Sequence, residues 1–288
     1  MKKINKILFL LTICIMLTGC LKRDTMEDID IYTTIYPIEY ITNRLYGNNS
    51  TIYSIYPNGV DPNNYPALSE KQIEDYSKAN LFIFNGLTNE KDYVVPFFKK
   101  NNNMKIINAT LSMKTNYENE ELWLDPSNFL QMAQNIKIGF NEYVSNYYIL
   151  EEIENNYEEL KLDVSKLDAN LTLISNNADE KVIVVTDDLF LFLEKYGLDV
   201  ISLDKDTLTN KALNDVKDLI KEKRISYVFA KKDEIVIEEI NELIKNKDVE
   251  ISYLHTISNL TTEEINNGSN YISLMTENIE KLKDELYN

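Results

Sequence analysis

The stretch YILEEIENNYEELKLDVSKLDANLTLISNN, residues 148–177, carries the clearest periodic signal in the sequence. Its apolar residues recur at alternating intervals of three and four, with acidic residues and lysines between them and neither glycine nor proline: Leu150, Ile153, Tyr157, Leu160, Val164, Leu167, Leu171 and Ile174. This period predicts a single amphipathic helix, which at about 1.5 Å per residue extends about 45 Å. A coiled-coil dimer is the alternative, but the repeat covers only about four heptads. We therefore expect a rigid connecting helix over residues 147–178.

Short apolar and β-branched runs flank this helix on both sides and alternate with segments of helical period. The predicted strands are residues 31–36, 51–56, 81–85 and 105–108 before the helix, and 181–185, 200–203, 226–230 and 250–254 after it. Such alternation is typical of βα units around parallel sheets. We therefore predict an α/β fold with two lobes, residues 30–146 and 179–288, each with a four-stranded parallel sheet and flanking helices. A ligand cleft is expected between the lobes, at the carboxyl ends of the strands.

The amino-terminal segment has the features of a lipoprotein signal. Three lysines precede an apolar run over residues 7–17, which is too short to cross about 30 Å of hydrocarbon. The run ends in LTGC, which has the form of a bacterial lipobox. We expect removal of residues 1–19, acylation of Cys20, and a tether over residues 20–29 that holds the protein on the extracytoplasmic face of the cell membrane. A cleaved signal in which Cys20 has no role is the alternative.

Composition excludes several classes of function. The formal net charge is -17, and an acidic surface repels the phosphates of nucleic acid. The sequence contains no H-E-x-x-H, G-x-S-x-G, G-x-G-x-x-G or phosphate-loop motif. One histidine and no nucleophilic cysteine also exclude the common catalytic triads. We therefore expect a monomeric protein that is not an enzyme and has no catalytic cofactor.

Five motifs occur in an order that identifies a family. They are TTIYP (33–37), PNGVDPNNY (57–65), ANLFIFNG (79–86), ELWLDPSNFLQMAQNI (121–136) and KYGLDVISL (195–203). With them, the chain resembles the solute-binding lipoproteins of zinc and manganese ABC importers (cluster A-I) over nearly the whole mature sequence. The resemblance implies a protein that captures a divalent cation between its lobes and delivers it to an ABC permease with its ATPase.

Members of that family hold one metal ion with four ligands, drawn from histidine, glutamate and aspartate in four loops. The resemblance places the first ligand position at Asn63 and the second at Glu121. It places the third at Thr186, or at Asp187 if the alignment shifts by one residue, and the fourth near Ile257. None of the four positions carries the residue that the family uses most often.

The chemistry of the available side chains limits the metal. His255 is the only histidine and the mature chain keeps no free thiol, so a three-histidine zinc site is impossible. The remaining set consists of Asn63, Glu121, Asp187 or Asp188, and His255 in place of the missing aspartate. One imidazole with several oxygens suits Mn(II) or Fe(II) and binds Zn(II) with lower affinity.

Each candidate ligand also has a structural interpretation. Asn63 follows a proline and suits a turn, and Glu121 belongs to an acidic run that is typical of a solvated face. Asp187 follows a strand and precedes a helical run, where it could cap the helix. His255 could serve packing alone.

Three functions remain open from the sequence. The leading hypothesis is the solute-binding lipoprotein of a metal importer, with Mn, Zn or Fe as the transported ligand. The substituted ligand positions favour a second hypothesis, a surface lipoprotein with a degenerate site that acts in adhesion or partner binding. A third is a binding protein adapted to another small solute.

Overall fold

The computed structural model describes residues 26–115, 121–245 and 247–287. The predicted signal peptide, the acylation site Cys20 and most of the predicted tether lie outside these ranges, so they stay predictions. Within these ranges, no helix is both long enough and apolar enough to cross a bilayer.

The first lobe is built on a parallel sheet with the strand order β2-β1-β3-β4. Its strands are β1 (Ile29–Thr33), β2 (Ser50–Ser54), β3 (Leu81–Phe84) and β4 (Lys105–Asn108). Its helices are α1 (Tyr36–Tyr46), α2 (Glu70–Tyr76), α3 (Val94–Lys100) and α4 (Pro126–Tyr143). Short 3-10 turns span Gly47–Asn49, Pro62–Asn64, Asn89–Tyr93 and Leu122–Leu124. All four residues of β3 are buried, as expected for an inner strand covered by helices on both faces.

A single helix, α5 (Tyr147–Asn176), connects the lobes and has the length that the periodicity predicted. Seven of the eight periodic apolar residues are buried; the exception is Leu150, which is half-buried, while its neighbour Ile149 is buried. Helix α5 contacts α1 and α4 of the first lobe.

The second lobe repeats the topology of the first, with the strand order β6-β5-β7-β8 and all pairs parallel. Its strands are β5 (Val182–Val185), β6 (Asp199–Ser202), β7 (Tyr227–Lys231) and β8 (Glu250–Leu254). Its helices are α6 (Asn210–Lys221), α7 (Glu238–Ile244), α8 (Thr262–Asn266) and α9 (Tyr271–Leu286), and a 3-10 segment spans Asp188–Tyr196. The predicted fold class, with two four-stranded parallel sheets joined by one long helix, is confirmed.

The buried hydrophobic residues form two clusters, a smaller one within the second lobe and a larger one that runs through both lobes and along α5. In the larger cluster, the rings of Phe129 in α4 and Tyr271 in α9 stack with centroids 3.7 Å apart. The buried Tyr271 hydroxyl donates to the Trp123 carbonyl at 2.6 Å. Nearby, the Lys195 ammonium pairs with Asp125 at 2.8 Å. Because α9 also packs on α5, these contacts oppose a wide hinge motion between the lobes.

Candidate ligand cleft

A cavity of about 370 Å³ lies between the lobes, at the carboxyl ends of strands from both sheets. The first lobe contributes the rim loop that follows β2, together with Glu121. The second lobe contributes the segments that follow β7 and β8. The position agrees with the general rule that ligands bind at the carboxyl edge of parallel sheets.

The rim loop PNGVDPNNYP (57–66) holds its shape through its own side chains. Asp61 accepts hydrogen bonds from the Asn63 backbone amide at 2.9 Å and from the Asn64 side-chain amide at 2.6 Å. Asp61 thereby caps the 3-10 turn Pro62–Asn64. Asn63 is exposed and lines the cavity. Its backbone therefore belongs to the turn, while its side chain remains at the cleft.

The second lobe grips this loop directly. The Asn259 side-chain amide donates to the carbonyls of Pro57 and Val60 at 2.7 and 2.8 Å, and the Gly59 amide donates to the Leu260 carbonyl at 2.8 Å. Gly59 has φ of 75°, and a Cβ there would lie 3.3 Å from the Thr261 methyl group. A glycine is therefore required for both the backbone conformation and the close approach of the lobes.

Glu121 is buried at the cavity wall, with 9% of its surface exposed. Its Oε2 atom has no hydrogen-bond partner among the described residues. Burial raises the pKa of this carboxyl well above its usual range; Lys231 opposes the shift, and Asp187 and Asp61 add to it. The interpretation of Glu121 as part of a solvated face is wrong, because the 3-10 turn Leu122–Leu124 that follows it is wholly buried and carries the side chain inward.

Asp187 lies behind the cavity and serves two roles. Its side chain accepts from the Leu189 amide at 3.0 Å, which caps the 3-10 segment after β5 as the capping interpretation expected. Its Oδ2 atom also pairs with the ammonium of Lys231 at 2.5 Å. Asp187 is not among the residues that line the cavity.

Lys231 is the residue that sequence reasoning missed. It ends strand β7, lines the cavity and is half-buried. Burial alone would lower the pKa of Lys231, but the carboxylates of Asp187, Glu234 and Glu121 outweigh it and raise the pKa. An ammonium group therefore lies in the field of two of the four predicted metal ligands, Glu121 and Asp187.

Glu234 completes the surroundings of Lys231. Its Oε2 atom accepts from the Thr186 hydroxyl at 2.7 Å and from the Lys231 backbone amide at 2.9 Å. Thr186, the other candidate for the third ligand position, therefore binds a carboxylate and does not line the cavity. Glu234 itself lines the cavity.

His255 lines the cavity, but both of its ring nitrogens are in use. Nδ1 accepts from the Ile257 amide at 2.8 Å, which requires that Nε2 carry the proton. Nε2 lies 3.0 Å from Oε1 of Glu264 and donates to it. Burial lowers the pKa of His255, so the neutral ring is favoured. In this tautomer neither nitrogen presents a lone pair to a metal ion.

Glu264 belongs to a second ion pair at the cavity, with Lys232. The Thr261 amide and hydroxyl also donate to Glu264, each at 2.8 Å, in a capping box at the start of α8. Burial opposes ionisation, yet the Lys232 ammonium and the two Thr261 donors lower the pKa of Glu264 to about 2. The carboxylate is thus fully satisfied by its own lobe.

The four predicted site residues are only partly brought together. Asn63, Glu121 and His255 line one cavity, whereas Asp187 is separated from it by the ammonium of Lys231. Among the residues that the structure describes, no three of the His, Cys, Asp and Glu side chains form a group able to hold a metal ion. Ile257, at the fourth position, is fully buried and supplies no ligand. In this arrangement the described side chains therefore do not converge on a single point as a bound metal ion requires.

Comparison with known proteins places this cleft in a family. Residues 31–285 match the family described as zinc-uptake complex component A, periplasmic (ZnuA). The chain belongs to the ZnuA family. The family resemblance predicted from the motifs is confirmed.

Relatives of this ZnuA-family chain carry metal-related names. The manganese ABC transporter substrate-binding lipoprotein PsaA of Streptococcus anginosus is 26% identical over 315 residues, covering 99% of each chain. The structure of the Zn(II)-bound ZnuA-like domain of AdcA from Streptococcus pneumoniae has a TM-score of 0.73 at 21% identity, covering 91% of this chain and 100% of that one. The metal-dependent lipoprotein YcdH of Bacillus subtilis has a TM-score of 0.74 at 21% identity, with the same coverage. At this identity the structural likeness establishes the shared two-lobe fold.

Proposed function

We propose that this chain is the extracytoplasmic solute-binding component of an ABC importer, which captures a divalent cation in the cleft and delivers it to a permease driven by an ATPase. Membership of the ZnuA family supports the importer role, and the name of the PsaA relative supports a metal ion as cargo. The lipobox supports attachment of the protein to the membrane through Cys20.

The observation that carries the proposal is the unpaired oxygen of Glu121. A buried polar atom without a partner costs free energy, about 1–3 kcal/mol or more when the group is charged. A protein retains such an unpaired atom at a site where a bound ligand supplies the missing partner. Because Glu121 lies at the wall of a cleft that also contains the side chains of Asn63 and Asp61, a cation that reaches this wall meets several oxygen donors.

The donors favour a hard cation. Amide and carboxylate oxygens suit Mn(II) or Fe(II), whereas tight Zn(II) sites use nitrogen or sulfur. His255 is the one nitrogen ligand the chain could offer, and it is held by Ile257 and Glu264. We therefore propose an affinity order with Mn(II) and Fe(II) ahead of Zn(II).

Isothermal titration of the mature protein with Mn(II), Fe(II) and Zn(II) tests this function. The expected result is one site per chain, with the tightest binding for Mn(II) or Fe(II). If no ion binds with a dissociation constant below about 100 μM, equivalent to about 5 kcal/mol of binding free energy, the proposal that a metal ion is the cargo is wrong.

One observation favours a second candidate, a surface lipoprotein without metal cargo. Lys231 partly neutralises the cleft, and the described residues include no metal-ligand group. Metal analysis of protein purified without chelators distinguishes the two candidates: about one equivalent of a divalent metal supports the importer, and none supports the metal-free lipoprotein.

A further inference from the structure

The ammonium of Lys231 lies among several carboxylates, although a lysine at the end of a strand does not need such neighbours. Its ammonium lies 2.5 Å from Asp187 and in the field of Glu121 and Glu234. These acids come from both lobes and from three separate segments of the chain. A cation surrounded in this way by acids is the arrangement that a captured metal ion would have.

We propose that Lys231 is a tethered cation that competes with the solute for the acidic cleft, so that a divalent ion binds only by displacing its ammonium from Asp187. This inference rests on the proposed function of the cleft. Asp187 becomes available to a metal ion only when its pair with Lys231 opens.

The geometry allows such an exchange. The Lys231 side chain is 35% exposed, and its long stem lets the ammonium swing toward solvent while the backbone stays in β7. The backbone amide is fixed separately by Glu234. Displacement therefore frees Asp187 and leaves the sheet intact.

The exchange also sets a threshold for affinity. A divalent ion interacts more strongly than a lysine ammonium with the same carboxylates, because the Coulomb energy scales with charge. Opening the Lys231–Asp187 pair costs the same free energy whichever ion enters, so Lys231 lowers the affinity for every cation by the same factor. Only ions that interact strongly with the cleft then bind measurably.

Titration of the acylated, detergent-solubilised protein with Mn(II) tests the inference through three variants. Lys231→Met removes the tethered charge, Lys231→Arg keeps it, and Lys161→Met removes an ion-paired lysine on α5, where it contacts Glu158. The expected result is that Lys231→Met tightens the dissociation constant about tenfold or more, about 1.4 kcal/mol. Lys231→Arg and Lys161→Met are expected to match the unmodified protein.

A second readout follows the lysine itself. Acetylation of Lys231 by an amine-specific reagent, measured by mass spectrometry, is expected to accelerate when Mn(II) saturates the protein, because the ammonium leaves Asp187. Labelling of Lys161 is expected to stay constant. Labelling of Lys231 that stays the same or slows with Mn(II) overturns the inference.

The outcomes separate this inference from the function beneath it. If neither the unmodified protein nor Lys231→Met binds any divalent metal, the proposed metal cargo is wrong and the tethered cation is wrong with it. If both bind Mn(II) with the same affinity, the cargo is supported and the tethered cation alone is overturned. Thermal unfolding of each variant shows whether a change in affinity reflects loss of the fold.

Discussion

The two walls of the cleft balance their charges differently. The second lobe carries both lysines of the cleft, and each is already paired within that lobe, Lys231 with Asp187 and Lys232 with Glu264. The first lobe presents Glu121, which is buried and has no ion pair among the described residues. The two sheets share one topology, so this difference arises from the loops. It indicates that the lysines of the second lobe already have carboxylate partners, whereas Glu121 of the first lobe has an oxygen without a partner among the described residues.

Among the changes predicted here, loss of the Tyr271 ring between the two lobes should lower the free energy of unfolding most. Tyr271→Ala removes a fully buried ring that stacks on Phe129 and bonds to Trp123. We expect the free energy of unfolding to fall by about 4 kcal/mol, measured by denaturant titration. Tyr287→Ala, at an exposed site, is the control and should change stability by less than about 0.5 kcal/mol. A loss below about 1 kcal/mol for Tyr271→Ala would show that the lobes do not share a core.

One buried glutamate in the first lobe and one glutamate in the second lobe should change the stability of the protein with pH in opposite directions. In the first lobe, burial raises the pKa of Glu90 to about 7, whereas Glu264 in the second lobe is lowered to about 2. Because the folded pKa of Glu90 is above its unfolded value, its contribution is most favourable below about pH 4.5 and is lost as the pH rises to about 7. Glu264 has the opposite sign: its contribution is present above about pH 4.5 and is lost toward pH 2.

Glu90→Gln tests the first of these signs. At pH 8 the variant should be more stable than the unmodified protein by about 2–3 kcal/mol, and at pH 4 the two should be equal. Glu158→Gln, on the exposed face of α5, is the control. Equal stability of Glu90→Gln and the unmodified protein at pH 8 would contradict the burial argument.

Glu121→Gln removes the charge that the first wall offers to a cation. We expect the Mn(II) dissociation constant to rise about thirtyfold, equivalent to about 2 kcal/mol. The free energy of unfolding should stay the same or increase, because the amide cannot ionise and so places no charge in the buried wall. Isothermal titration and denaturant titration measure the two quantities, again with Glu158→Gln as control. An unchanged dissociation constant would mean that the cation binds elsewhere.

The smallest expected effect is at the rim. Asn259→Ala deletes two hydrogen bonds to the loop 57–66 and should lower the free energy of unfolding by about 1 kcal/mol. Limited proteolysis should cut this loop faster in the variant, since its closure onto the second lobe is weakened. Asn177→Ala, at the far end of α5, is the control. Unchanged cleavage would mean that the remaining Gly59 bond to Leu260 holds the loop alone.

Much of the fold could be predicted because its signals are local. The three-four periodicity predicted α5 to within two residues at its carboxyl end and correctly at its amino end, since burial of one helical face is a property of neighbouring positions. The strands were found from their composition, with small shifts such as 199–202 in place of 200–203. The family could be identified from the order of the five sequence motifs.

The site could be predicted only in part, because its charges pair over long distances in the sequence. Asp187 and Lys231 come from different strands, so no local pattern signals their ion pair. The acidic neighbours of Glu121 suggested a solvated face. In the structure, the buried 3-10 turn Leu122–Leu124 that follows Glu121 directs its side chain inward. His255 was placed at the cleft correctly, but its hydrogen bond to Glu264 was missed; the T-x-x-E capping box at residues 261–264 was the available signal.

A crystal structure of the protein grown with Mn(II), with anomalous diffraction recorded at the manganese edge, would show whether a cation binds at Glu121 and displaces Lys231. We predict an anomalous peak within about 2.5 Å of a Glu121 carboxylate oxygen, with the Lys231 ammonium moved away from Asp187. A cleft without a peak, in which Lys231 still pairs with Asp187 and Glu121 still lacks a partner, would contradict it.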